Sequence, residues 1–128
     1  MDYQKDYRKG ANNVYNLEQI GGRRGAWINR YDHSPANGRY IGEFQNGQIE
    51  EEQNFLDGKR HGLQRSWWPD GKLRSESAVE NGLGQGYSRS WHFNGQLAKE
   101  CLMEKGEFVG AYKTWADNGV LTWNQPWK

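Results

Sequence analysis

Apolar positions recur in columns along this chain of 128 residues. Ile49, Leu73, Leu97 and Leu121 stand 24 residues apart, as do Phe55, Val79 and Met103, and Trp67, Trp91 and Trp115. A polar column, Glu52, Glu76 and Glu100, keeps the same step. Glycine punctuates the pattern at Gly47, Gly71, Gly95 and Gly119, at Gly58, Gly82 and Gly106, and at Gly62, Gly86 and Gly110. A fixed period of this size means an array of small structural units. Each unit stacks only on its neighbours, so the array offers a long surface to a partner rather than a deep reaction pocket.

The unit reads as two antiparallel strands. Each opens with Asn46-Gly47, Asp70-Gly71, Asn94-Gly95 or Asn118-Gly119. These dipeptides suit a two-residue type I′ turn, with both central residues at φ > 0. A second turn follows at Asp57-Gly58, Asn81-Gly82 and Lys105-Gly106. The runs between, such as Lys72–Glu80 and Tyr87–Phe93, have strand length. None is long enough for a stable isolated helix. Gly62, Gly86 and Gly110 fall at strand starts, where glycine marks a bulge or a close backbone approach. The expected fold class is all-β: a single domain over 1–128, built as a repeat array of antiparallel β-hairpins in one elongated, twisted sheet. Residues 46–69, 70–93 and 94–117 are the clean repeats, and 118–128 a partial one. Residues 21–45 are a degenerate repeat, and 1–20 an N-terminal cap.

A two-residue turn at Asp70-Gly71 sets a register on paper. Pro69 then faces Lys72, Trp68 faces Leu73, Trp67 faces Arg74 and Arg65 faces Glu76. The next junction places Trp91 opposite Ala98 and Arg89 opposite Glu100. Opposite charges meeting twice favour this register. At the two ends Ile41 meets Glu52 and Lys113 meets Asn124, which reads as wear of the array. Alternation then puts the tryptophan column and the Arg/Glu ladder on one face. It puts Ile49, Leu73, Leu97 and Leu121, with Phe55, Val79 and Met103, on the other.

Composition changes the picture in one respect. Mean hydropathy is −1.13, which alone suggests disorder, yet 14% of residues are aromatic, including seven Trp and seven Tyr. Rings carry much apolar area each, so a thin core of half-buried aromatics is expected. The net charge of +1 gives no global field toward nucleic acid or anionic lipid. Cys101 stands alone, so no internal disulfide framework exists. The first ten residues hold no apolar leader and no stretch could span a bilayer, which together point to a cytoplasmic location.

The stretch from Trp67 to Glu76, WWPDGKLRSE, carries the pattern N/D-G-x-L-x-x-E, and each unit continues G-x-x-x-G-x-x-x-x-W. This unit resembles the variant MORN repeat (membrane occupation and recognition nexus), in the form strung together in YwqK-type antitoxin proteins. The resemblance covers 46–121 closely and 21–45 loosely. It implies antiparallel hairpins in one sheet. It also implies a bacterial antitoxin or immunity role, or the scaffolding and membrane association of MORN repeats in eukaryotes.

No catalytic constellation is visible, so the chain is expected not to be an enzyme and to hold no metal or cofactor. His33, His61 and His92 lack partners at metal-ligand spacing. The recurrence of Glu52, Glu76 and Glu100 marks them as structural braces rather than acid–base pairs. Aromatics interleaved with arginine also suit single-stranded nucleic acid, but these arginines face glutamates, so no nucleic acid is expected. Membrane association is less favoured, because no polybasic run or amphipathic helix occurs. The expected function is a non-enzymatic protein-binding module that neutralises a cognate toxin. The alternative is a scaffold or membrane-associated adaptor. Specific contacts should lie where the repeat departs from its own pattern, since Trp, Tyr and Arg dominate interface hot spots. Those positions are Trp68, Arg74, His92, Tyr31, Tyr40 and Phe44. The acidic run with Glu43, Glu50 and Glu51 adds a second contact for a basic toxin.

Overall fold

The computed structural model describes residues 12–127. After a single 3-10 turn at Val14–Asn16, strands β1 (Leu17–Gln19) and β2 (Trp27–Asn29) pair as a small separate sheet. The remaining strands are β3 (Gly38–Glu43), β4 (Ile49–Leu56), β5 (Lys59–Arg60), β6 (Gly62–Trp67), β7 (Leu73–Glu80), β8 (Leu83–Trp91), β9 (Leu97–Glu104), β10 (Glu107–Trp115) and β11 (Leu121–Trp127). They form one antiparallel sheet in chain order from β3 to β11, with β5 set beside the end of β4. The all-β hairpin array is what the 24-residue period requires. Within the stretch 21–45 read as a degenerate repeat, Trp27–Asn29 pairs with Leu17–Gln19 in the small sheet, and the large sheet begins at Gly38. Of the expected N-terminal cap, residues 1–11 lie outside the described residues.

The two turn families differ, and the difference corrects the turn assignment. Asp57, Asn81 and Lys105 have φ near +50° (49°, 51° and 50°), each followed by a positive-φ glycine. These are the type I′ turns. Asn46, Asp70, Asn94 and Asn118 do not have positive φ; only the glycine after each does. There the Gly71 N–H donates to Trp68 O at 2.9 Å and the Trp68 N–H to Lys72 O at 2.8 Å. That is a type I turn closed by a glycine bulge, with three loop residues instead of two. The Asn or Asp has a local reason: its side-chain oxygen accepts from the N–H two residues on, at Gln48, Lys72, Gln96 and Val120.

This turn shifts the nearest pairs. Trp67 stands opposite Leu73, Trp91 opposite Leu97 and Trp115 opposite Leu121. The expected pairs Pro69–Lys72, Trp68–Leu73, Trp67–Arg74 and Trp91–Ala98 are therefore wrong. One residue later the register slips back, because Arg74 is an extra residue in β7 between the pairs Trp67–Leu73 and Ser66–Ser75. The two irregularities cancel. Beyond them Arg65 pairs Glu76, Arg89 pairs Glu100, Ile41 pairs Glu52 and Lys113 pairs Asn124, as expected. The leucine column, directly across from the tryptophans, shares their face and not the opposite one. Phe55, Val79 and Met103 do lie opposite the Arg/Glu ladder by strand alternation.

The third glycine column is a bulge. Gly62, Gly86 and Gly110 all have positive φ, at 101°, 120° and 81°. Between Ser77–Ser88 and Val79–Gly84, β8 carries two residues more than β7. An insertion of two leaves side chains in phase, so the faces do not exchange along the strand. A further column joins successive units at this edge. Side chains of Asn37, His61 and Gln85 accept from the N–H groups of Asp57, Asn81 and Lys105, the left-handed residue of the next turn.

Apart from Cys101 in β9, the buried hydrophobic residues lie at one end. Leu17, Ala36, Tyr40 and Phe55 cluster there, with Val14 and Trp27 packed on them. Tyr40 meets Phe55 edge-on at 5.5 Å. The small sheet thus covers the face of β3 and β4 that bears these rings. Asn13 bridges Ile41 on the outer edge of β3, and the Ile41 N–H donates to Asn12 O at 3.2 Å, which pairs the middle of that edge. Past this end the array is held mostly by half-buried residues.

Candidate protein-binding cleft

One face of the sheet carries a charge ladder. Glu52 is only 5% exposed and sits between Arg39 and Arg65, each Nε 3.1 Å from a carboxylate oxygen. Arg65 reaches on to Glu76 at 3.7 Å, and Arg89 bonds Glu100 at 2.7 Å. Burial acts to raise the Glu52 pKa. Hydrogen bonds from Asn54, Arg65 and Arg39 outweigh it and hold the carboxyl below its ordinary value. These residues are consumed in bracing one another.

Toward the bulged turns the other face carries polar side chains, mostly serines. Register places Glu51, Ser66, Ser75 and Ser90 side by side across β4, β6, β7 and β8. Their shortness opens a cleft of about 570 Å³, whose wall at the turn edge is aromatic and cationic. Trp68 and Phe93 come from consecutive bulged turns and meet edge-on at 5.6 Å. The Arg74 guanidinium lies 5.0 Å from the Trp68 ring centroid, and Lys72 Nζ lies 5.6 Å from that of Phe93. Arg74 reaches Trp68 because it is the extra residue of β7. His92 is fixed by a 2.7 Å hydrogen bond between Nε2 and Trp115 O, and Glu50 and Glu51 close the opposite side. Among the described residues the buried Trp68 indole N–H has no hydrogen-bond partner.

The structure brings together Trp68, Arg74, His92, Glu50 and Glu51 of the expected contact residues. It does not bring the others there. Tyr40 is 3% exposed and belongs to the core, so as a contact residue it is a correction; an aromatic in a strand reads alike inside or outside. Tyr31 is 43% exposed in the turn after β2. Phe44 begins the first bulged turn, and Glu43 faces Ile49 at the start of the ladder. Phe93 was not singled out by the sequence, although it is 57% exposed and half of the aromatic pair. Its signal was present: an aromatic at the turn position where the other units have Gln45, Pro69 and Asp117.

Among the described residues no helix is long and apolar enough to cross a membrane. No curated protein and no solved structure matches the chain. The MORN repeat variant matches residues 36–57 and 60–81, two stretches that enclose the β3–β4 and β6–β7 hairpins and with them Glu50, Glu51, Trp68 and Arg74 of the cleft.

Proposed function

We propose that the protein is a non-enzymatic protein-binding module, and that its partner is a toxin which it neutralises in the cytoplasm by direct binding. The observation that carries this reading is the Arg74–Trp68–Phe93 stack at the wall of an open cleft. Trp and Arg anchors at the edge of a desolvated pocket are the usual source of interface affinity. The unpartnered indole N–H of Trp68 supports it. A buried, unsatisfied donor costs roughly 1–3 kcal/mol, which offsets part of what packing this ring contributes to stability. The repeat array supplies the rigidity that keeps the ordering cost of binding low. MORN repeats occur in protein-binding and membrane-associating modules, which fits a module whose chemistry is recognition.

The test is co-expression with the toxin candidates encoded beside its gene, scored by growth rescue and by affinity of the purified pair. Trp68→Ala should weaken binding by about 2 kcal/mol or more while the circular dichroism spectrum is kept. A failure of every neighbouring candidate, together with flotation of the purified protein on anionic liposomes, would replace this reading by the membrane-associated adaptor.

A further inference from the structure

A second concave site lies at the other long edge of the sheet, where the type I′ turns stack. The loop between β1 and β2 stands over these turns and encloses a cleft of about 390 Å³. Arg23, Arg24, Lys59 and Arg60 line it, and no acidic residue does. Its floor is apolar, with Trp27, Leu83 and Met103. Gly58, Gly82, Gly84 and Gly106 also line it; nothing lies within 4 Å of where a Cβ on Gly82 would stand, while the Met103 and Leu83 side chains pack over Gly84 and Gly106. Glu80, Glu104 and Glu107 are close in sequence but do not line the cleft. Glu104 pairs Glu107, whereas Met103, one residue earlier, points into the cleft.

The four cations differ in how they are held. Arg60 is half-buried, stacked 4.8 Å from the Trp27 ring centroid and bonded to Gln53 Oε1. Burial pushes its pKa down while the charge of Glu51 pushes it up. Arg23, Arg24 and Lys59 are exposed and make no ion pair among the described residues. A fixed central guanidinium with three unpaired cations around an apolar floor is complementary to carboxylates flanking an apolar side chain. We propose that this cleft binds an acidic peptide segment of a partner protein, with glutamate or aspartate on either side of a leucine-like residue. A concave cleft in a chain of net charge +1 selects a protruding segment over a flat anionic membrane. The site shares no lining residue with the aromatic cleft, and this inference does not rest on the toxin reading.

The probe is a fluorescein-labelled octapeptide of sequence EELEELEE, titrated by fluorescence anisotropy against the full chain, with QQLQQLQQ as control. Saturable binding of the acidic peptide alone is expected. The triple variant Arg23→Gln, Arg24→Gln, Lys59→Gln should weaken it about tenfold or more. The variant Lys72→Gln, Lys99→Gln, Lys113→Gln removes the same charge away from this cleft and should change it less than about twofold. Equal loss in both triples would reduce the effect to net charge and overturn the site. So would the absence of saturable binding, or capture of phosphatidylserine vesicles but not of the peptide.

Discussion

Arg89 Nε lies 2.7 Å from Glu100 Oε2 across the β8–β9 ladder, with both side chains about a third exposed. Exposed cross-strand pairs of this kind contribute little, because solvent screens them. A double-mutant cycle with Arg89→Ala and Glu100→Ala should give a coupling of about 0.3–1 kcal/mol that falls as salt is added. Chemical denaturation of the four proteins measures it.

Glu52 should behave differently from Glu100. It is buried between two arginines and Asn54, so Glu52→Ala leaves Arg65 without its closest partner and should cost about 2–4 kcal/mol. Its folded pKa is depressed, so its contribution is fully present above the unfolded glutamate value. That contribution is lost as pH falls through the folded one. A wild-type protein that loses stability below pH ~4 more steeply than Glu52→Gln would show this; identical acid profiles would not.

The two turn families predict opposite responses to substitution. Gly71 has φ 92°, a conformation that a β-branched residue adopts only under strain, so Gly71→Val should cost about 1–3 kcal/mol. Lys105 holds φ 50° without the local advantages of asparagine. Lys105→Asn should therefore raise stability by about 0.5–1 kcal/mol. Thermal melts of both variants against the wild type test the turn assignment.

His61 accepts through Nδ1 from the Asn81 N–H, a position filled by Gln85 in the next unit. His61→Gln should keep stability within about 0.5 kcal/mol, and His61→Leu should cost about 1 kcal/mol for the lost acceptor. Hydrogen exchange at the Asn81 amide would report the bond directly.

Trp91 stands opposite Leu97 within the sheet and is half-buried. Trp91→Ala should cost about 2–4 kcal/mol. The partner-binding substitution Trp68→Ala should cost less, since its indole N–H is unsatisfied. Urea midpoints of the two variants compare them.

The 24-residue period alone determined the all-β array, the hairpin order and the pairs Arg65–Glu76 and Arg89–Glu100. Backbone pairing between adjacent units repeats whenever the sequence repeats. Asn-Gly and Asp-Gly marked every hairpin turn of the array but Lys105-Gly106 and did not fix the turn type, because asparagine and aspartate serve both. Their side chains cap a type I turn and also tolerate φ > 0. Only the three-dimensional structure decided that the leucine column faces the tryptophans, through an extra residue at Arg74 that no local pattern announces. It alone also put Tyr40 inside and Phe93 outside, since burial depends on where the N-terminal sheet folds back. Both clefts are products of such long-range placement. Trp68 and Phe93 are 25 positions apart and meet only because consecutive turns stack. Arg23 and Lys59 share a cleft only because a loop outside the repeat lies over its edge.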